Sequence, residues 1–181
     1  MDYNIILEGC NCTGKSSIYE EILHNGLLGE AMIGIQHKNR MPPKTYKEGK
    51  ELNEMLLQES NDNKGIIFDR HILSEQVYAP LLRGYMPDYI GSLETRLKKH
   101  NILFLITADH KTVKKRYNNK HNIPIETILR ILGAYDFHFL ICNYPIKFIV
   151  DTSDITPYQA LEMIEQLLKT LIENTDKKSK N

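Results

Sequence analysis

The sequence predicts an α/β fold in which one parallel sheet is covered by helices on both faces. Three observations carry this reading. Short apolar runs alternate with helical patterns along the whole chain, as buried parallel strands and their crossovers require. A glycine-rich segment, "LEGCNCTGKS" (7–16), joins the first such run to the first helical pattern. The run "GIIFD" (65–69) ends on an acidic residue, and ligands of open parallel sheets bind beyond the strand carboxyl ends, where Gly9 and Asp69 both fall.

Each element follows from its own pattern. "YNIILEG" (3–9) is the first strand, and 16–26 reads as a helix with Ile18, Ile22 and Leu23 turned inward. "AMIGIQH" (31–37) is the second strand, and "NRMPPK" (39–44) breaks regular structure before a helix over 45–59 that includes Gly49. After the third strand, helices are expected at 74–84 and 87–100, with Pro87 suited to opening the second. "ILFLIT" (102–107) is the fourth strand, followed by helix 109–119, a polar break at 118–122 and helix 124–141. "IKFIVD" (146–151) supplies the fifth. The amphipathic helix 156–173 closes the chain with Leu161, Ile164, Leu168 and Leu171 inward, Thr156 as N-cap and Pro157 in its first turn.

A chain of 181 residues suits one domain, taken as 1–174, with 175–181 a frayed polar tail. Apolar residues at 41%, charged residues at 25% and a formal charge of zero are globular values that give no reason to expect a nucleic-acid or acidic-membrane surface. Cys10, Cys12 and Cys142 are odd in number and lack metal-ligand spacing, so free thiols in a reducing compartment are expected. No leader pattern and no 18-residue apolar run is present, so the expected setting is the cytoplasm.

Segment 7–16 fills G-x-x-x-x-G-K-[ST] at every fixed position, with Gly9, Gly14, Lys15 and Ser16. In such a cradle successive backbone N–H groups and a helix amino end surround a phosphate chain. Cys10, Asn11, Cys12 and Thr13 occupy its open positions, where backbone amides matter more than side chains. Lys15 can reach the terminal phosphates of such a chain. The Ser16 hydroxyl is placed for magnesium, and Ser17, a first-turn residue, is the alternative ligand. Glu8 stands beside the cradle. As a strand-end residue it would be merely solvated, but a carboxylate there is costly unless paired, so it is expected to orient magnesium water or receive a substrate hydroxyl.

"FDRHILSEQVYAP" (68–80) narrows the reading. The cradle together with Asp69, Arg70, His71, Ser74 and Tyr78 resembles the thymidylate kinase family and its deoxynucleoside kinase relatives, including short phage-encoded members with a "VY" pair like Val77 and Tyr78. The resemblance spans roughly residues 3–172, with only the two motifs specific. It implies a P-loop NTPase-type five-stranded sheet of order 2-3-1-4-5. It also implies that Arg70 holds an acceptor phosphate, that Asp69 contacts magnesium and its water, and that ATP and Mg2+ are the cofactors. Two features depart from the family. Ala79 stands where a glutamine usually follows the tyrosine, and "IQHKNRMPP" (35–43) lacks the glutamate that serves deoxynucleoside kinases as base. A monophosphate acceptor, already ionised, needs little base help, which favours a nucleoside-monophosphate kinase over a deoxynucleoside kinase.

The basic segment 110–122 resembles the lid that closes over donor phosphates in these kinases, with Arg116 first and Lys120 second as phosphate contacts; the lid is placed near 110–124. No nucleic-acid-binding motif accompanies these cations. "DTSDITP" (151–157) would lie near the donor base. The family also implies a homodimer, for which 45–59 or 74–99 would supply the surface, and the host cytoplasm if the chain is phage- or virus-encoded. A more distant reading is an acceptor-independent nucleotide switch or ATPase.

Overall fold

Five strands lie parallel in one sheet, and their order places the first of them at the centre. The computed structural model describes residues 2–25, 34–36, 42–118 and 123–178. The strands are β1 Asn4–Glu8, β2 Gly34–Gln36, β3 Ile66–Asp69, β4 Asn101–Thr107 and β5 Ile146–Asp151. They run β2-β3-β1-β4-β5. Leu7 pairs with Asp69 and Glu8 with Leu105, so the ends of β1, β3 and β4 form one rim.

The strands are apolar on both faces because both are covered. Ile6, Phe68, Leu103 and Leu105 pack on one face under α3 (Ile72–Tyr78), α4 (Ile90–Glu94) and α6 (Ile125–Ile141), with α2 (Tyr46–Asp62) at the flank. Ile5, Leu7, Ile67, Ile102, Phe104 and Ile106 pack on the other under α1 (Lys15–Asn25) and α7 (Pro157–Lys178). The period-two alternation of the strands thus feeds two cores. One polar residue interrupts this scheme at the amino end of β1. Asn4 is fully buried, and its amide donates to Ser60 O at 2.7 Å and Asn101 Oδ1 at 2.9 Å while accepting from Ile66 N–H at 3.1 Å.

Three boundaries differ from the sequence reading. Helix 87–100 shortens to Ile90–Glu94 because the Lys98 N–H goes to Asn61 Oδ1 at 3.0 Å, and Leu97 N–H closes a tight turn on Glu94 O at 3.2 Å. Helix α3 begins two residues before Ser74 and widens into a π-helical turn over Ala79–Arg83, next to Pro80, which has no N–H to give. Helix α7 continues to Lys178 rather than ending at 173. In the stretches considered for a dimer surface, Tyr46, Met55, Leu82 and Met86 are exposed. Exposed apolar residues taken singly are ordinary and carry no assembly argument. Among the described residues no helix is long and apolar enough to cross a membrane.

Candidate functional site

The glycine-rich segment turns where β1 meets the rim, and two glycines make the turn feasible. Gly9 has φ +149°, and a Cβ there would stand 2.2 Å from Ile106 O; Gly14 has φ +89°. Cys12 also adopts a positive φ, +68°, a conformation that costs a non-glycine residue roughly 1–2 kcal/mol. The loop is tied internally by Thr13 Oγ1, which donates to Cys10 O at 2.9 Å, and α1 starts where Ile18 N–H reaches Gly14 O at 3.0 Å. Thr13 is fully buried, so it holds the loop's shape rather than lining it. A cleft of about 470 Å³ opens over Cys10, Asn11, Cys12, Gly14, Lys15, Ser16 and Ser17. Arg70, Arg116, Thr152, Ile155 and Pro157 line it as well, so part of the segment 151–157 faces the loop.

Lys15, the first residue of α1, is buried and ion-paired with the Asp69 carboxylate at the end of β3. Burial pulls its pKa below the ordinary value, the nearby Arg70 charge adds to that, and Asp69 works against both. The two residues are 54 positions apart and meet because β1 and β3 are paired neighbours.

Glu8, read from sequence as orienting magnesium water or receiving a substrate hydroxyl, is not among the residues that line the cleft. It is fully buried, and its oxygens already accept four hydrogen bonds. Oε1 accepts from the His71 and Ser74 N–H groups at 2.7 and 3.0 Å, and Oε2 accepts from Ser74 Oγ and Tyr135 OH at 2.5 and 3.1 Å. The two backbone donors belong to the start of α3, whose N-cap His71 supplies no side-chain cap. Glu8 fills that role from another strand, where a carboxylate is favoured by the helix end. Burial raises its pKa, with Ser74 and Arg70 opposing the rise.

Arg70 continues the same network. Its φ of +71° turns the chain at the end of β3, while its N–H donates to Leu7 O at 2.9 Å. Nη1 donates to Gly9 O at 3.0 Å and Tyr135 OH at 2.7 Å, and Nη2 to Asn11 Oδ1 at 3.1 Å. The Tyr78 ring centroid lies 4.8 Å from Cζ. Burial works against the guanidinium's charge, but Tyr135, Tyr78, Glu8 and Asp69 outweigh it and raise its pKa. His71 contacts Tyr144 OH at 3.0 Å and Leu56 O at 3.2 Å, a wall position with its ring nitrogens in use. Tyr135 was not legible as a site residue. In sequence it is one apolar position of α6, and only its hydroxyl, buried among three polar partners, marks it.

Across the cleft, α5 (His110–Arg116) ends on Arg116, whose Nη1 and Nη2 donate to Thr152 Oγ1 at 2.9 Å and Thr152 O at 2.7 Å. Lys120, the second lid cation, lies outside the described residues, as do positions 119–122 in general. The cysteines are free. Cys10 is buried against Ile128 O at 3.3 Å, and burial pushes its thiol up to about 12; burial also raises the half-buried Cys12. Both favour the thiol over the reactive thiolate. Among the described residues no group of three His, Cys, Asp or Glu side chains forms a metal cage.

No protein-family model and no curated protein matches the chain. Solved structures do. The YorR protein of Bacillus subtilis, crystallised with phosphorylated GDP, aligns at TM-score 0.70 and 22% identity over 94% of this chain and 98% of that one. Thymidylate kinase from Candida albicans aligns at 0.63 and 16% identity over 93% and 91%. Deoxyadenosine kinase from M. mycoides, with the products dCMP and dCDP bound, aligns at 0.61 and 18% identity over 93% and 99%. At these identities the likeness concerns the backbone: the chain shares the overall fold of these solved structures, a parallel sheet with helices on both faces.

Proposed function

We propose that the protein transfers the terminal phosphoryl group of magnesium-ATP to a (deoxy)nucleoside monophosphate. The observation that carries the proposal is the convergence of Lys15, Arg70 and Arg116 on one cleft at the strand carboxyl rim, with Asp69 paired to Lys15, above a glycine-shaped loop. Phosphoryl transfer asks a protein mainly for alignment and for positive charge around the transferred group. The loop would hold the donor phosphates. Lys15, released from Asp69, would meet the terminal one. Arg70 is poised between the loop and α3 for the acceptor phosphate.

The residues present suit magnesium. Mg2+ keeps most of its waters and shares phosphate oxygens, so it needs one or two protein groups rather than a cage. The exposed hydroxyl of Ser16 in the first turn of α1, with Ser17 beside it, and the Asp69 carboxylate are those groups. When bound, the ion would neutralise charge on the donor phosphates. The acceptor oxygen would form its bond to the terminal phosphorus as the bridge to ADP breaks.

Glu8 favours a monophosphate over a nucleoside acceptor. A sugar hydroxyl calls for a base, and of the two candidates Glu8 is sealed under four donors, while Asp69, once Lys15 leaves it, would be taken up by magnesium. The deoxynucleoside kinase reading stands second, supported by the likeness to deoxyadenosine kinase. A product assay offering magnesium-ATP with each deoxynucleoside and each deoxynucleoside monophosphate separates the two. Transfer to at least one monophosphate is expected. Phosphorylation of nucleosides alone would overturn the proposal, and ATP hydrolysis indifferent to any acceptor would move the switch or ATPase reading ahead.

A further inference from the structure

Thr152 stands at a crossing that neither the motifs nor the fold assigns. It lies one residue past β5 and is almost fully buried, yet every polar atom it carries is in use. Its N–H donates to Thr107 O at 2.9 Å, at the end of β4. Its hydroxyl lies 2.7 Å from Thr13 O in the phosphate loop and 3.1 Å from Thr107 O. The same hydroxyl oxygen accepts from Arg116 Nη1, and the Thr152 carbonyl accepts from Nη2. A Cβ built on Gly14 would lie 3.6 Å from Thr152 Oγ1 and 3.7 Å from Arg116 Nη1, so the guanidinium stands directly beside the loop.

A hydroxyl has one proton and two lone pairs. Arg116 can only donate, so the Thr152 proton goes to a carbonyl, and the loop's Thr13 O at 2.7 Å is the nearer acceptor, ahead of Thr107 O at 3.1 Å. The hydroxyl therefore couples the cation to the cradle, with the guanidinium held by its two terminal nitrogens in a planar fork. Each terminal nitrogen of a guanidinium carries two protons, so those not given to Thr152 can turn to the cleft that Arg116 lines. Arg116 is otherwise exposed at a helix end, where a long side chain loses much rotamer freedom on binding a ligand unless something holds it beforehand.

We propose that Thr152 is a positioning residue that fixes the Arg116 guanidinium beside the phosphate loop before donor nucleotide arrives. This rests on reading the cleft as the donor site. It is separable from the identity of the acceptor, because its effect appears in donor binding as well as in turnover.

The test is a double-mutant cycle on the full chain, read by equilibrium binding of a fluorescent ATP analogue with magnesium. Thr152→Val removes the hydroxyl at nearly constant volume, and in the wild-type background it is expected to weaken binding about tenfold, the worth of one hydrogen bond to a charged group. In an Arg116→Ala background the same change is expected to cost no more than about twofold, and Thr152→Ser is expected to stay near wild type. An equal loss in both backgrounds would show that Thr152 acts through the loop alone and overturn the proposal, as would no loss in either. Should Thr152→Val fail to fold, Thr152→Ala runs the same cycle. Absence of any nucleotide binding by the wild type would overturn this proposal together with the donor-site reading. Binding without transfer to any acceptor would sink the proposed function and leave the cycle to decide Thr152.

Discussion

The two walls of the cleft hold their cations by different means. On the β3 side, Lys15 is buried and Arg70 half-buried, and they are matched with Asp69, Glu8, the Tyr78 ring and the Tyr135 hydroxyl, drawn from β3, β1, α3 and α6. On the α5 side, Arg116 is exposed and rests on the neutral oxygens of one threonine. A buried cation has lost its hydration and depends on the geometry of its partners, so substitutions that keep the charge are still costly. An exposed cation held on neutral oxygens is fixed in place yet keeps its charge for an incoming anion, because no carboxylate competes for it. The first wall is matched charge against charge, and the second is held ready without a counter-charge.

Four changes would break or sharpen this contrast. The largest effect is expected from Lys15→Ala, which takes away the cradle's point charge. Turnover with magnesium-ATP should fall roughly 10²–10³-fold while circular dichroism reports an intact fold. A folded variant with undiminished turnover would break the assignment of this wall. Next comes Arg70→Lys. It retains charge but cannot contact Gly9 O, Tyr135 and Asn11 with one planar fork, and kcat/KM for a monophosphate acceptor should drop at least about tenfold. Retained activity would mean that charge alone suffices there.

Glu8→Gln probes the enclosed wall through pH. Burial raises the Glu8 carboxyl above its ordinary 4.5, so the folded state holds this proton more tightly than the unfolded chain does. The stability that the group contributes is complete below 4.5 and is lost as pH rises through the raised value. The wild type should therefore show a decline over that interval which the glutamine variant lacks, read from denaturant midpoints between about pH 4 and 8. Parallel profiles would mean that Glu8 is not held this way. The smallest effect is expected from Lys111→Ala. Lys111 is an exposed residue of α5, and its removal should change turnover by no more than about twofold. A loss matching that of Arg116→Ala would point to diffuse charge rather than one held arginine.

The sequence by itself determined the sheet, the cradle and the charged rim. These depend on neighbours a few positions apart: apolar runs of strand length, glycines at fixed offsets, and an acid followed by an arginine where β3 ends. Strand ends then gather at one rim because parallel strands all point the same way, so Lys15 and Asp69 could be assigned to one site before any contact was known. The tertiary structure alone decided what each polar group does there. Glu8 read as a carboxylate that orients magnesium water or receives a substrate hydroxyl, because nothing near it in sequence could enclose it. Its enclosure comes from donors 63 to 127 positions away, on α3 and α6. Tyr135, inside a helical pattern, and Thr152, inside a segment placed near the donor base, were not singled out for the same reason, since a hydroxyl's role is set by the partners that packing brings within hydrogen-bond reach. Helix 87–100 was lost to such a contact too, when the Asn61 side chain on α2 took a backbone N–H that local sequence had reserved for a helical turn. Periodicity reports which face is buried, but a buried polar atom must find a partner wherever the chain supplies one, and that search is settled across the fold rather than along it.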